Sequence, residues 1–337
     1  MKSKAVDYIN IWLLLISFLV AIYLPFELFL FSYAILGPLH YLTEINWLDD
    51  KKYFIKSKSQ GYKAFIIIAL IISAYPLLKY LNLADNFAAV FEVFSSQKNI
   101  ILLSGFIFSV SLIFFTKMKQ LIRAFIFSIL FSVICSLYIP KLLIVIGVFL
   151  PTLIHVYIFT LLFMIYGQLK AKSKPGIISI LLLIIAPIVI AFLDIKPEAY
   201  LISDFTKNTY TGSGFLFLNT SVARLFGDVD KEGFSLISTI GLKIQIFIAF
   251  AYTYHYLNWF SKTSIIGWKT SFTSTRMKYI IFLWLCFVGL YLYDYIIGLT
   301  ALFFLSLLHV VLEFPLNVTT IKELGLVSFK KLGFRNR

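Results

Sequence analysis

Apolar runs of about 18 or more residues recur from one end of this chain to the other, each long enough to cross a hydrocarbon layer of roughly 30 Å. That feature leaves few folds open, because backbone polar groups inside a bilayer must be satisfied within the protein. A transmembrane β-barrel is excluded, since its strands would alternate polar and apolar residues. The stretch 177–191 (IISILLLIIAPIVIA) is instead apolar at nearly every position. With 60% hydrophobic and 14% charged residues, the composition also rules out a disordered chain, a coiled coil or a disulfide-stapled secreted domain. Cys135 and Cys286 both sit inside apolar runs, which suits buried hydrophobes better than a disulfide or a thiolate metal site.

The expected fold is therefore all-α: a polytopic membrane helix bundle of about ten transmembrane helices. The spans are expected near 8–24, 27–47, 64–82, 99–116, 121–138, 142–168, 177–194, 238–260, 279–295 and 297–316. The first two are separated at Leu24-Pro25, because proline disfavours helix at the residue before it. The last two are separated near Asp294–Gly298, because the combined stretch is too long for one span. The whole of 1–337 reads as one integral membrane domain, with an outer extramembrane loop at 195–236 and a basic tail at 317–337. No small-residue cleavage site follows the first apolar run, so a removable signal peptide is not expected.

Charge supplies the orientation. The chain carries a formal charge of +14, which in a soluble protein would suggest nucleic acid. Sorted by loop with the N-terminus inside, 22 of the 30 Lys and Arg residues fall on inner segments. Ten of the 16 acidic residues fall outside. Both termini are then cytoplasmic, the positive-inside rule holds along the chain, and the basic residues face anionic lipid rather than nucleic acid.

Ionisable side chains within hydrocarbon are costly and usually functional. The chain has four histidines, and all of them fall within expected spans: His40, His155, His255 and His309. Their helices all run from outside to inside. Counting at 1.5 Å per residue, His40, His255 and His309 lie about five to seven residues from the inner ends of their helices, within a few ångströms of one level. His155 lies nearer the midplane, and Pro151, four residues earlier, provides a kink or tilt that would bring it level. Glu44 and Glu313 each follow a histidine by four residues, in His40-Tyr-Leu-Thr-Glu44 and His309-Val-Val-Leu-Glu313. Each shares its histidine's helix face.

Imidazole and carboxylate together suit first-row transition metals, iron among them. Two arrangements fit the residues. In one, His40, His155, His255 and His309 hold a single Fe(II) and the glutamates orient them; in the other, the glutamates are ligands and the site holds two metals. Within one helix a glutamate meets its own histidine awkwardly, so each is better placed to serve a histidine of a neighbouring helix. Asn258, three residues after His255 and on its face, is a further candidate to orient oxygen or substrate. Trp47, Trp259 and Trp268 suit an interfacial aromatic belt.

The segments LGPLHYLTEINW, PTLIHVYIF, YTYHYLNWFSK and LLHVVLEFP, each carrying one span-borne histidine, resemble the bacteriorhodopsin-related β-carotene 15,15′-dioxygenase family of bacterial membrane proteins. The resemblance covers architecture more than sequence. That family has a Pro-His-Gly segment and a pair of histidines four apart, where this chain reads Gly-Pro-Leu-His and pairs His with Glu. The resemblance implies an iron- and dioxygen-dependent cleavage of a carotenoid such as β-carotene to retinal, with the four histidines as iron ligands, in the bacterial inner membrane.

The expected function is thus a membrane-embedded iron oxygenase acting on a lipid-soluble substrate. Two other classes compete with it. A proton-coupled transporter or permease would use the same His and Glu residues as a relay. A di-metal lipid-modifying enzyme, as among membrane desaturases and hydroxylases, would carry histidine boxes of the HxxxH type, and no two histidines here are close in sequence.

Overall fold

The computed structural model describes residues 2–51, 60–80, 88–226, 235–263 and 272–331. Lys52, Lys56, Lys58, Lys231, Lys269, Arg335, Arg337 and Trp268, which enter the charge and aromatic-belt arguments, lie outside the described residues. Among the described residues the regular structure is helical, with no strand. Eight helical stretches of the described residues are long and apolar enough to cross a membrane: Lys4–Tyr23, Pro25–Asp50, Ser96–Phe114, Met118–Tyr138, Pro140–Ala171, Lys174–Phe192, Ser274–Tyr293 and Tyr295–Val327. The chain is a helical membrane protein.

In chain order the helices are α1 (Lys2–Tyr23), α2 (Pro25–Phe31), α3 (Gly37–Lys51), α4 (Gln60–Tyr80), α5 (Ala88–Phe114), α6 (Met118–Tyr138) and α7 (Pro140–Ile144). They continue as α8 (Thr160–Ala171), α9 (Lys174–Phe192), α10 (Asp204–Ser213), α11 (Phe215–Leu225), α12 (Thr239–Ser261), α13 (Ser274–Tyr293) and α14 (Tyr295–Lys331). Two wider π-helical stretches join them, Ser32–Leu36 between α2 and α3 and Val145–Phe159 between α7 and α8. The breaks fall where the local chemistry requires them. Leu24 leaves the helical region (φ −133°, ψ 57°) before Pro25. Asp294 is extended, and its Oδ1 accepts from the Ile297 N–H at 2.8 Å, capping α14.

The chain divides into two compact units. The first comprises Met1–His40 and Gly167–Leu299. Its central element is α12, against which α1, α2, the Ser32–Leu36 stretch, α9 and α11 pack. Leu242, Gln245, Ile246, Ala249 and Phe250 are fully enclosed. Because protein surrounds it, α12 carries Gln245, Thr253, His255 and Asn258 without exposing them to lipid. α13 is the opposite case: only Ile280 and Tyr291 are buried, and its apolar side chains face outward. Cys286 is among the exposed residues of α13. The sequence expectation of a buried thiol therefore holds for Cys135 alone, since an apolar run in a membrane can be apolar for lipid rather than for a core.

The expected outer loop contains α10 and α11, which pack on each other and, through α11, on α12. A buried polar network binds them: Gln245 Nε2 donates to Pro25 O (3.0 Å) and lies 2.5 Å from the Tyr210 hydroxyl. Asn219 Nδ2 donates to Gln245 Oε1 at 2.9 Å. The π-helical Ser32–Leu36 follows from Pro38, which has no N–H for the carbonyl one turn back and crowds it, so the turn widens. Gly37 N–H accordingly reaches Ser32 O, and the Ile35 carbonyl accepts from Trp284 Nε1 at 2.8 Å.

The second unit comprises Tyr41–Tyr166 and Thr300–Arg337. Here α5 packs on α4, α6, α7 and the Val145–Phe159 stretch. The α5–α6 contact uses small residues whose hydroxyls fold back on their own helices, as in a membrane interface of close-packed backbones: Ser104 donates to Ile100 O at 2.8 Å and Ser132 to Ser128 O at 2.7 Å. Gly147 lies where the π-helical stretch meets α5, and a Cβ there would lie 2.7 Å from Asn99 Oδ1, so the Asn99 amide would have to turn aside. On α14, the ring of Phe314 packs tilted against that of Phe106, with centroids 4.5 Å apart.

Candidate metal centre

In the second unit, His155 projects from the π-helical stretch that contains Pro151, and His309 from α14. The two rings meet edge to face, with centroids 4.9 Å apart and planes at 75°. Their Nε2 atoms face each other at 3.1 Å. The outer nitrogens decide what that means. His309 Nδ1 lies 3.3 Å from Leu305 O, a carbonyl that can only accept, so Nδ1 carries the hydrogen. His155 Nδ1 lies 3.0 Å from Glu313 Oε2, an ion-pair distance without the angle of a hydrogen bond, and a carboxylate there favours the tautomer with the hydrogen on Nδ1. In that tautomer of both rings, the two Nε2 atoms present lone pairs to each other.

Two lone pairs at this distance repel unless a cation stands between them. Metal–imidazole bonds are about 2.0–2.1 Å, and two such bonds to nitrogens 3.1 Å apart enclose an angle of about 98°. That lies between octahedral and tetrahedral values. The pair is therefore spaced as two ligands of one metal would be, and partners on the outer nitrogens are the usual means of fixing such ligands.

Two more side chains of this unit complete the setting. Tyr41 stacks on the His309 ring, with centroids 4.2 Å apart and planes at 24°. Glu44, three residues further along α3, is 2% exposed, and one of its carboxylate oxygens lies within 4.8 Å of a ring nitrogen of His309. Glu313 is similarly enclosed at 3%. With both carboxyl groups ionised and both imidazoles neutral, the cluster would carry a formal −2, which a divalent cation would balance. Buried and unbalanced, that charge would be strongly unfavourable.

The first unit holds the other two histidines. His40 Nε2 and His255 Nε2 also lie 3.1 Å apart, with ring centroids at 4.7 Å. His40 is completely enclosed and touches the rings of Tyr256 (5.1 Å) and Trp259 (5.6 Å). The π-helical Ser32–Leu36 ends one turn before it, so a π segment stands next to His40 and another contains His155. Such segments concentrate at functional sites because they redirect a side chain that a regular helix would aim elsewhere.

The structure thus brings His40 to His255, and His155 to His309 with Glu44 and Glu313 beside them. Asn258 is buried, and its Oδ1 has no hydrogen-bond partner among the described residues. Sequence reasoning passed over Tyr41, whose place beside His40 in the helix was the available signal. It also passed over Asn317, which continues the His309, Glu313 stripe by one more step of four.

Buried histidine and glutamate groups here can hold a metal ion. Comparison with known proteins gives no further guide, because no family model, curated protein sequence or solved structure matches the chain.

Proposed function

We propose that the chain is a membrane-embedded, iron-dependent oxygenase acting on a lipid-soluble substrate. The observation that carries the reading is the facing pair of Nε2 atoms on His155 and His309, 3.1 Å apart, with Leu305 O against Nδ1 of His309 and Glu313 Oε2 3.0 Å from Nδ1 of His155. Iron suits several neutral imidazoles and a carboxylate with positions left open, and it supplies the one-electron and dioxygen chemistry that the side chains lack. His155 and His309 hold the ion, Glu44 offers a carboxylate to it, and Glu313 keeps the proton of His155 on Nδ1. Tyr41 fixes the plane of His309. The apolar bundle admits a lipid-soluble substrate and excludes water from the site.

The sequence resemblance supports a carotenoid such as β-carotene as the substrate and retinal as the product. The charge distribution supports ten spans with both termini cytoplasmic, in a bacterial inner membrane, in contact with anionic lipid.

Metal analysis of the purified protein tests the reading. Stoichiometric iron that is lost in His155→Ala and in His309→Ala is expected, together with oxygen uptake when β-carotene is added. A folded, metal-free protein overturns it. A ratio of one ion per chain marks a mononuclear centre and a ratio of two a dinuclear one.

One observation favours a second reading. A single proton between the same Nε2 atoms would complete a Glu313–His155–His309 relay, as a proton-coupled transporter requires. Proton-coupled uptake by proteoliposomes free of metal would establish that alternative.

A further inference from the structure

Asn317 stands apart among the enclosed polar side chains. It is 2% exposed, and neither its Nδ2 nor its Oδ1 has a hydrogen-bond partner among the described residues. Burying an amide with both ends unsatisfied is unfavourable, and a native chain tolerates it chiefly where something outside the chain supplies the partner. It lies on α14 at the third step of the stripe His309, Glu313, Asn317, whose members share one face. Eight residues of helix put it about 12 Å along the axis from His309.

The chemistry of the side chain narrows the ligand. A carboxamide donates and accepts but carries no charge, so it complements a group that also does both. In an enclosed site a charged ligand would pay for desolvation that Asn317 could not return. A hydroxyl meets these conditions.

We propose that Asn317 binds the hydroxyl of a lipid-soluble alcohol and thereby fixes how far along α14 the substrate reaches toward His309. This deepens the oxygenase reading and rests on it: among lipid-soluble substrates, those bearing a hydroxyl are preferred to the plain hydrocarbon such as β-carotene, and Asn317 becomes the residue that sets the position of attack. The hydrogen bonds formed with the hydroxyl are those the amide otherwise lacks, so an alcohol is preferred to the hydrocarbon of equal length.

The test uses the full chain in lipid nanodiscs and a long-chain alcohol bearing a diazirine. Its adducts are mapped by mass spectrometry, and hexadecanol or hexadecane is added as competitor. Saturable labelling on α14 is expected, with hexadecanol displacing the probe about tenfold better than hexadecane, the factor for one buried hydrogen bond. Asn317→Leu should abolish that preference while leaving the iron content unchanged. Asn317→Gln, which keeps the amide, should retain part of it and serves if the leucine variant does not fold. Equal displacement by alcohol and hydrocarbon in the wild-type protein, or absence of saturable labelling, overturns the proposal and leaves water as the partner of Asn317. Missing iron with the alcohol preference intact would instead count against the oxygenase reading.

Discussion

Glu313 places a carboxylate oxygen 3.0 Å from Nδ1 of His155, although Glu313 lies one turn beyond a different histidine, His309, on α14. One helix thus supplies both a candidate ligand and a carboxyl group beside the outer nitrogen of that ligand's partner. Glu313→Gln keeps the size and loses the charge. Metal affinity should fall by about 10- to 100-fold, the usual effect of losing a carboxylate behind a ligating histidine. Competition with a chelator of known affinity measures it, and an unchanged affinity would mean that Glu313 does not orient His155.

Metal removal should destabilise the fold. An ion that binds only the folded protein adds about 4 kcal/mol when its free concentration is a thousand times its dissociation constant. Thermal unfolding in nanodiscs, with and without chelator, should show a lower midpoint for the stripped protein. The His155→Ala variant should show no further drop on chelation.

Gln245 joins Pro25, Tyr210 and Asn219 in one enclosed network. Gln245→Leu leaves the Asn219 amide and the Pro25 carbonyl without that partner, at a cost of about 1–3 kcal/mol for buried groups left unsatisfied. Because α10 and α11 are held through this network, protease sensitivity at 204–225 should rise. The iron content should stay the same.

Lys262 caps the end of α12, and burial pushes its ammonium down to about 8 while the charge of Asp7 works against the shift. Between about 8 and its ordinary 10.5 the unfolded chain binds more protons than the folded one, so stability should rise as pH increases through that window. Below it the penalty of a buried charge is fully present. Lys262→Gln should raise the unfolding midpoint at pH 7 and flatten the rise at alkaline pH. A wild-type midpoint that falls steadily from pH 8 upward would contradict this origin.

Much of the bundle was legible because hydrocarbon imposes length and apolarity on each span, and Pro25 and Asp294 mark breaks that backbone chemistry enforces. The expected spans at 64–82 and 238–260 fall on the helices α4 and α12, but neither is among the eight described stretches long and apolar enough to cross a membrane. Similar depth and the repeated four-residue His–Glu offset singled out all four histidines. Which histidine meets which was not legible, because the rotation of a helix depends on packing that a list of apolar residues does not encode. The wide turns at Ser32–Leu36 and Val145–Phe159 add to the difficulty, since each shifts the phase of every residue after it. Pro38 and Pro151 were visible in the sequence, but a proline can be accommodated by a kink, a break or a π turn, and the neighbouring helices choose.

The enclosure of α12 bears on how the chain is made. A segment with Gln245, Thr253, His255 and Asn258 has weak affinity for lipid and would be a poor candidate for lateral release from the insertion channel by itself. The helices that surround it, α1, α2, α9 and α11, all precede it in the chain, so its binding partners have been synthesised before it emerges. The polar residues of α12 are thus delivered into a scaffold already waiting for them, and a chain lacking α1 and α2 should leave α12 stranded outside the bilayer.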